Sequence, residues 1–279
     1  MIPNFTRPSG TLYIVATPIG NLADSSPRSI EILRAADIVA CEDTRTSRTL
    51  LAHHGIDART VALHAHNERE ATEKLLGSLR EGGSVALVSD AGTPGISDPG
   101  ALLVAAAHHE GIRVVPVPGP NAAVAAYSAA GFASDRFLFA GFQSAKKKNS
   151  FEGLDLPWPV IFYEAPHRVL ATVRALLEKF GPEREIVIAR ELSKKFEETA
   201  RMRLAEAPAW LAAGPHRQQG EFVLVLGPGE EKRADLADGE RVLRILMERM
   251  SAGDAAKLAA RITGLPRNAL YRSALKDTK

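Results

Sequence analysis

The 279-residue chain is 45% hydrophobic and 24% charged, with one cysteine and a formal net charge of +2. That is ordinary globular material with room for two modest domains, and the lone Cys41 excludes an internal disulfide and any cysteine-rich zinc site. The amino terminus has no apolar core behind a basic start, and no run approaches the roughly 20 apolar residues a bilayer crossing needs, so a cytoplasmic location without membrane association is expected.

Apolar runs at Leu12–Thr17, Ile38–Cys41, Thr60–His64, Ser84–Ser89 and Arg113–Pro118 are continuous rather than alternating. This predicts parallel strands buried on both faces. Helices with readable ends separate them: Ser26-Pro27 supplies an N-cap and an N1 proline, Gly55 a stop, and Asp98-Pro99 a further start. The alternation continues with strands at Phe137–Phe142, Val160–Glu164, Glu185–Arg190 and Glu221–Leu226, and with helices at Asn121–Ala130 and His167–Phe180. Gly227-Pro228-Gly229-Glu230-Glu231-Lys232 reads as a linker, followed by short helices at Glu240–Met250, Gly253–Thr263 and Pro266–Leu275. The expected organisation is an α/β domain over residues 1–118, a second over 119–229, and a small helical extension over 230–279. In the extension Ala255, Leu258, Ala259, Ile262, Leu265 and Leu270 mark an apolar face with Lys257, Arg261, Arg267 and Arg272 outside it. That pattern is open to a helix-turn-helix-like nucleic-acid module and to simple packing.

Every strand of the first half ends in a potential ligand contact, where open α/β sheets place their sites. The clusters are Thr17-Pro18-Ile19-Gly20-Asn21, Glu42-Asp43-Thr44-Arg45, His64-Ala65-His66-Asn67-Glu68, the loop Val88–Gly100, and Pro118-Gly119-Pro120-Asn121. Gly95 to Gly100 has P-loop spacing, but Ala101-Leu102 stand where lysine and Ser/Thr must be, and the loop contains no GxGxxG. Three of the loops are Pro/Gly-rich and almost free of cations, which suits a flat, mostly neutral ligand held by backbone groups and argues against a kinase. Glu42-Asp43 beside Arg45 and Arg48 offers acid and base together, or a surface ion-pair cluster. His64, His66 and Glu68 have the spacing of metal ligands and equally of solvated turn residues; no metal is expected. Phe162–Arg168 and Arg190–Lys195 mix aromatic, acidic and basic groups, as a site for a polar anionic substrate would. Lys146-Lys147-Lys148 reads as a solvated loop, or as a phosphate contact if the substrate is RNA.

Several of these motifs occur together and in order: Leu12–Leu22, Cys41-Glu42-Asp43-Thr44-Arg45, Ser89–Gly100, Pro118-Gly119-Pro120, Phe162–Arg168 and Ala189-Arg190-Glu191-Leu192. In combination, over roughly Gly10 to Gly227, they resemble the bacterial small-subunit ribosomal RNA methyltransferases of the tetrapyrrole methylase superfamily. The resemblance implies a two-domain class III methyltransferase fold with S-adenosylmethionine folded into the interdomain cleft, and a homodimer. It implies 2′-O-methylation of a decoding-region cytidine, cytidine 1402 of 16S rRNA, within the small ribosomal subunit. Carried over by motif, the cofactor lies against Pro18, Ile19 and Gly20, against Asp90, Ala91, Gly92, Thr93, Gly95, Ile96 and Ser97, and against Pro120, Asn121 and Ala122. Tyr163, Ala189 and Arg190 close it from the second domain. Thr93-Pro94 replaces the Asp-Pro pair of many superfamily relatives, so that aspartate's role does not transfer.

The reaction requires a base for the ribose hydroxyl. Position at strand ends favours Glu42 or Asp43 first, with Arg45 on a phosphate, then Glu164 or Glu191. Lys146, Lys147, Lys148, Arg168 and Lys194 are the expected RNA contacts. The competing expectations are a tetrapyrrole precursor C-methyltransferase using the same cleft and a non-catalytic RNA-binding assembly factor; fold alone does not separate them.

Overall fold

In the computed structural model, which describes residues 10–143, 151–230 and 236–276, successive side chains of the amino-terminal strands enter opposite cores. Along β1 (Thr11–Val15), Leu12 and Ile14 join one cluster while Tyr13 and Val15 join another. β4 (Ser84–Leu87) divides Val85 and Leu87 from Ala86 in the same way. Two-sided burial is why these strands read as unbroken apolar runs. With β2 (Ile38–Cys41), β3 (Thr60–Ala62) and β5 (Arg113–Val117) they form an all-parallel sheet of order β3-β2-β4-β1-β5. Helices α1 (Pro27–Ala35) and α2 (Thr44–His53) cover one face through Ile32, Leu33 and Leu51. Helices α3 (Glu68–Arg80) and α4 (Ala101–His109) cover the other through Leu75, Leu76, Leu79 and Leu103.

Because β1 and β4 are neighbours, the loops that follow them leave the carboxyl edge side by side. An isolated antiparallel bridge joins them: Thr17 N donates to Gly92 O at 2.9 Å and Gly92 N to Thr17 O at 3.1 Å. Gly92 sits at φ 87°, a left-handed conformation that costs glycine little. The loop after β5 closes against the same edge, where a Cβ on Gly119 would stand 2.9 Å from the Ala16 Cβ. Gly119→Ala is therefore expected to destabilise by about 1–3 kcal/mol through overpacking, measured as a lowered denaturant midpoint.

The second sheet has the order β6-β7-β10-β8-β9 and is mixed. Only β6 (Leu138–Phe142) and β7 (Val160–Glu164) run parallel; β10 (Phe222–Leu226) is antiparallel to β7 and to β8 (Glu185–Arg190). The sequence pattern did not reveal β9 (Glu198–Arg203), an edge strand that alternates half-buried and exposed residues and pairs with β8. Its sequence Glu-Thr-Ala-Arg-Met-Arg carries the charges that keep an edge from pairing with another chain. Helix α5 (Ala122–Ala130) packs Ala123 and Ala126 on one face, while α6 (Val169–Phe180) and α7 (Ala207–Ala212) pack Val173, Leu176 and Leu211 on the other.

The chain forms two compact units, one ending at Pro228 and one beginning at Gly229. In the latter, α8 (Leu236–Met247), α9 (Ala252–Thr263) and α10 (Arg267–Lys276) enclose Leu243, Ala255, Ala256, Ala259, Leu270 and Ala274. Ser251 caps α9 by accepting from Asp254 N, and Gly264 at φ 74° ends it. Ile262, expected on the apolar face, is 59% exposed. The buried stripe of α9 centres between Ala255 and Ala256, which leaves position 262 at its margin. No helix among the described residues is long and apolar enough to cross a membrane.

Candidate active site

The loop after β4 meets the ends of the second sheet across a cleft of about 370 Å³, within the range of small-ligand sites. Ile19, Asp90 to Thr93, Ile96 to Asp98 and Ala122 form the wall from the first half. Phe142, Tyr163 to Pro166, Ala189, Leu192 and Glu221 to Val223 form the wall from the second. The Thr93 hydroxyl donates to Pro120 O at 3.0 Å, and Asn121 caps α5 by accepting from Val124 N at 3.1 Å, so the loop after β5 is fastened beneath the cleft. The Tyr163 hydroxyl accepts from Ala123 N at 3.3 Å, and its ring meets Phe139 and Phe142 at 4.9 and 5.5 Å.

The wall is apolar and carries four carboxylates, Asp90, Asp98, Glu164 and Glu221, with no Lys, Arg or His among its described residues. Arg168 pairs with Glu164 and Lys194 with Glu221 from behind the wall, so its remaining negative charge comes from Asp90 and Asp98, which disfavours a polyphosphate and accommodates a ligand with fixed positive charge. A sulfonium bearing an α-ammonium group and a flat adenine meets that description.

Of the cofactor contacts expected from the sequence, Ile19, Asp90, Ala91, Gly92, Thr93, Ile96, Ser97, Ala122, Tyr163 and Ala189 lie on this wall. Pro18 lines an adjoining depression, Gly20 lies against the Lys194 chain, and Gly95 forms a turn at φ 79°. Arg190 follows Ala189 on β8 and so points to the opposite face. There its guanidinium, in a residue only 6% exposed, donates to His216 O and Phe196 O. Lys146, Lys147 and Lys148 lie outside the described residues.

The four candidate bases differ sharply. Glu164 is buried, and both of its oxygens are engaged: Oε1 accepts from Ala165 N at 2.7 Å and Arg168 Nε at 2.8 Å, and Oε2 from the Thr172 hydroxyl at 2.6 Å. Glu191 Oε1 accepts from Lys194 Nζ and Glu221 N, both at 2.9 Å, which fixes the cleft rim. Arg168 and Lys194, expected on RNA, are the partners in these pairs. Asp43 caps α2, and hydrogen bonds from the Arg45 guanidinium and Arg45 N hold its carboxyl at about 2, too weak a base for neutral pH. Glu42 is raised above the ordinary value by burial and by Asp90, with His64 opposing.

Asp98 is the group the sequence reading missed. Burial, then Glu42 and Asp90, push it up to about 6 against the Ser89 hydroxyl, and it faces the cleft. Asp98-Pro99 looks like the start of a helix, but α4 begins at Ala101. Its free amides are served instead by Glu68, whose Oε1 accepts from Gly100 N at 2.8 Å and Leu102 N at 3.2 Å. The His64 and His66 rings stand 6.1 Å apart. No three metal-ligating side chains converge among the described residues.

The model of the Tetrapyrrole (Corrin/Porphyrin) Methylases matches residues 11–208, and that of the RsmI C-terminal HTH domain matches residues 233–278. A solved uroporphyrin-III C-methyl transferase from Thermus thermophilus, complexed with S-adenosylhomocysteine, superposes with a TM-score of 0.55 at 18% identity, covering 79% of this chain and 97% of its own. Fold and cleft together define an S-adenosylmethionine-dependent methyltransferase of the tetrapyrrole methylase class. The ribosomal RNA small subunit methyltransferases I of Escherichia coli and Mesorhizobium japonicum are 47% and 50% identical to it, each over 96% of this chain and over 96% and 92% of their own lengths. The chain belongs to the ribosomal RNA small subunit methyltransferase I family.

Proposed function

We propose that this protein transfers the methyl group of S-adenosylmethionine to the ribose 2′-oxygen of cytidine 1402 in 16S rRNA of the small ribosomal subunit. The observation that carries the cofactor half is the apolar cleft with Asp90 and Asp98 on its wall and no cationic side chain among its described lining residues. The RNA half rests on the near full-length identity to the named rRNA methyltransferases. The 2′-oxygen attacks the sulfonium methyl in line as the carbon–sulfur bond breaks; the electron pair stays on sulfur as S-adenosylhomocysteine, and the hydroxyl proton passes to Asp98. Much of the acceleration comes from holding both reactants at attack distance. Glu42 acts one step removed, by keeping the Asp98 carboxyl basic. The working form is a cytoplasmic homodimer.

RNA phosphates are assigned to exposed cations. Arg45 and Arg48 lie three positions apart on the first turns of α2, on one helix face. Arg45 is paired with Asp43 at 2.7 Å, but its side chain is 87% exposed and such pairs are weak enough to be exchanged for phosphate. Helix α10 contains no acidic residue and exposes Arg267, Asn268, Tyr271 and Arg272, a second RNA-contacting face. The double variant Arg45→Glu/Arg48→Glu is expected to weaken small-subunit binding and lower the salt slope by about 2, with cofactor affinity unchanged by calorimetry.

The reading is tested by incubating the protein with methyl-labelled S-adenosylmethionine, small subunits from a strain lacking the modification, and a uroporphyrinogen in parallel. Label in rRNA supports it. Label in the tetrapyrrole alone overturns it.

A further inference from the structure

A second depression of about 290 Å³ adjoins the cofactor cleft at the carboxyl edge of the first sheet. Pro18, Leu22 and Leu50 give it apolar walls; Thr46, Thr49 and Asp90 give it polar ones. Asp90 also belongs to the wall of the cofactor cleft, so one carboxylate stands on the boundary between two cavities. The Thr17–Gly92 bridge runs along that boundary, with Thr17 facing the depression and Gly92 the cleft. Asp43 N donates to Asp90 Oδ1 at 3.0 Å, tying the carboxylate to the start of α2.

We propose that this depression holds the base and sugar of the acceptor nucleoside, turned out of the RNA, so that its 2′-hydroxyl passes Asp90 toward the methyl group in the cleft. The inference rests on the RNA reading above and adds the place where the acceptor sits. Enzymes that admit a single nucleotide of a structured nucleic acid into a cleft commonly turn it out of the stack, and a turned-out base needs a pocket of its own. The two cavities have the right order of size: the larger suits a nucleoside carrying an amino-acid tail, the smaller a nucleoside alone. Apolar walls meet the faces of a pyrimidine, and the threonine hydroxyls and the carboxylate meet its polar edge and the ribose hydroxyls. The cations Arg45 and Arg48 lie on the same helix as Thr46, Thr49 and Leu50, beside the path of the flanking phosphates. Asp90 is thus a positioning residue for the attacking oxygen.

Thr46 and Thr49 are exposed at the surface of α2, so tryptophan at either fills the depression without entering the core. Thr46→Trp and Thr49→Trp are expected to leave cofactor binding by calorimetry unchanged and to cut methyl transfer to the small subunit by about 100-fold or more, because a displaced acceptor misses attack geometry. Thr49→Ser, which keeps the hydroxyl and the space, is expected to lose far less activity than Thr49→Trp. If the parent labels rRNA and both tryptophan variants label it as fast, the acceptor lies elsewhere and the site is overturned. A parent that labels no rRNA overturns the functional reading itself, and the site with it.

Discussion

Asp98→Asn is expected to lower kcat for methyl transfer by about 100- to 1,000-fold, the usual contribution of a positioned general base. Asp98 faces the cofactor cleft, and its carboxyl is pushed up to about 6 by burial and by Glu42 and Asp90, with Ser89 opposing. The base works only when ionised, so the rate of the parent should rise with pH through a limb near 6. The asparagine variant should lose that limb. Glu42→Gln removes a neighbouring negative charge and should shift the limb to lower pH, with a smaller loss of rate. Stability moves the other way. A carboxyl raised in the folded state binds its proton more tightly there than in the unfolded chain, so its ionisation costs stability as pH rises from the ordinary value of 3.8 to about 6. Asp98→Asn escapes that cost and should unfold no earlier than the parent at neutral pH, which separates a catalytic loss from a folding defect.

The second large effect falls on stability. Glu164→Ala is expected to destabilise by about 3 kcal/mol, because it leaves Arg168, the Thr172 hydroxyl and Ala165 N without the acceptor they share. For a unit of this size that corresponds to a fall in Tm of roughly 6–12 °C. Thr172→Val preserves shape and removes one bond to the buried carboxylate, so about 2 kcal/mol of the loss should reappear in that variant alone. Thermal unfolding of the two variants checks both values. Equal stability of Glu164→Ala and the parent would mean that this carboxylate is not the clamp between β7 and α6.

Much of the fold was legible because its signals are local. Two-sided burial writes itself into β1, β2 and β4 as unbroken apolar runs, and Ser26-Pro27 marks the start of α1 with a side-chain cap on Ser29 N. The second sheet was less readable. β9 carries two arginines and a glutamate on an edge, so it lacks the apolar run that identified its neighbours. Its mixed strand directions depend on pairings between distant segments, on which strand composition is silent.

The site divided along the same line. Backbone loops that follow a strand were found from their glycines and prolines, and they do form the cleft. Side-chain roles depended on partners far away in sequence. Glu68, read as one of three potential metal ligands, caps α4 from 32 positions away, while Asp98, which looks like the cap, lines the cleft instead. Asp43 and Glu164 carry the residue type of a base, but their oxygens are already taken by Arg45 in the one case and by Arg168 and Thr172 in the other. Phe142 was legible only as the end of a strand and Leu192 only as part of a motif; each becomes part of the cleft because the second sheet turns its strand ends toward the first.

The most direct test of the central claim is the chemical form and position of the transferred methyl group. Unmodified small subunits are incubated with the protein and methyl-labelled S-adenosylmethionine, and the rRNA is digested to nucleosides and mapped by mass spectrometry. The account predicts label on the ribose 2′-oxygen of one decoding-region cytidine, lost in Asp98→Asn and in Thr49→Trp. Label on a base carbon or nitrogen, or on several unrelated nucleotides, would contradict it.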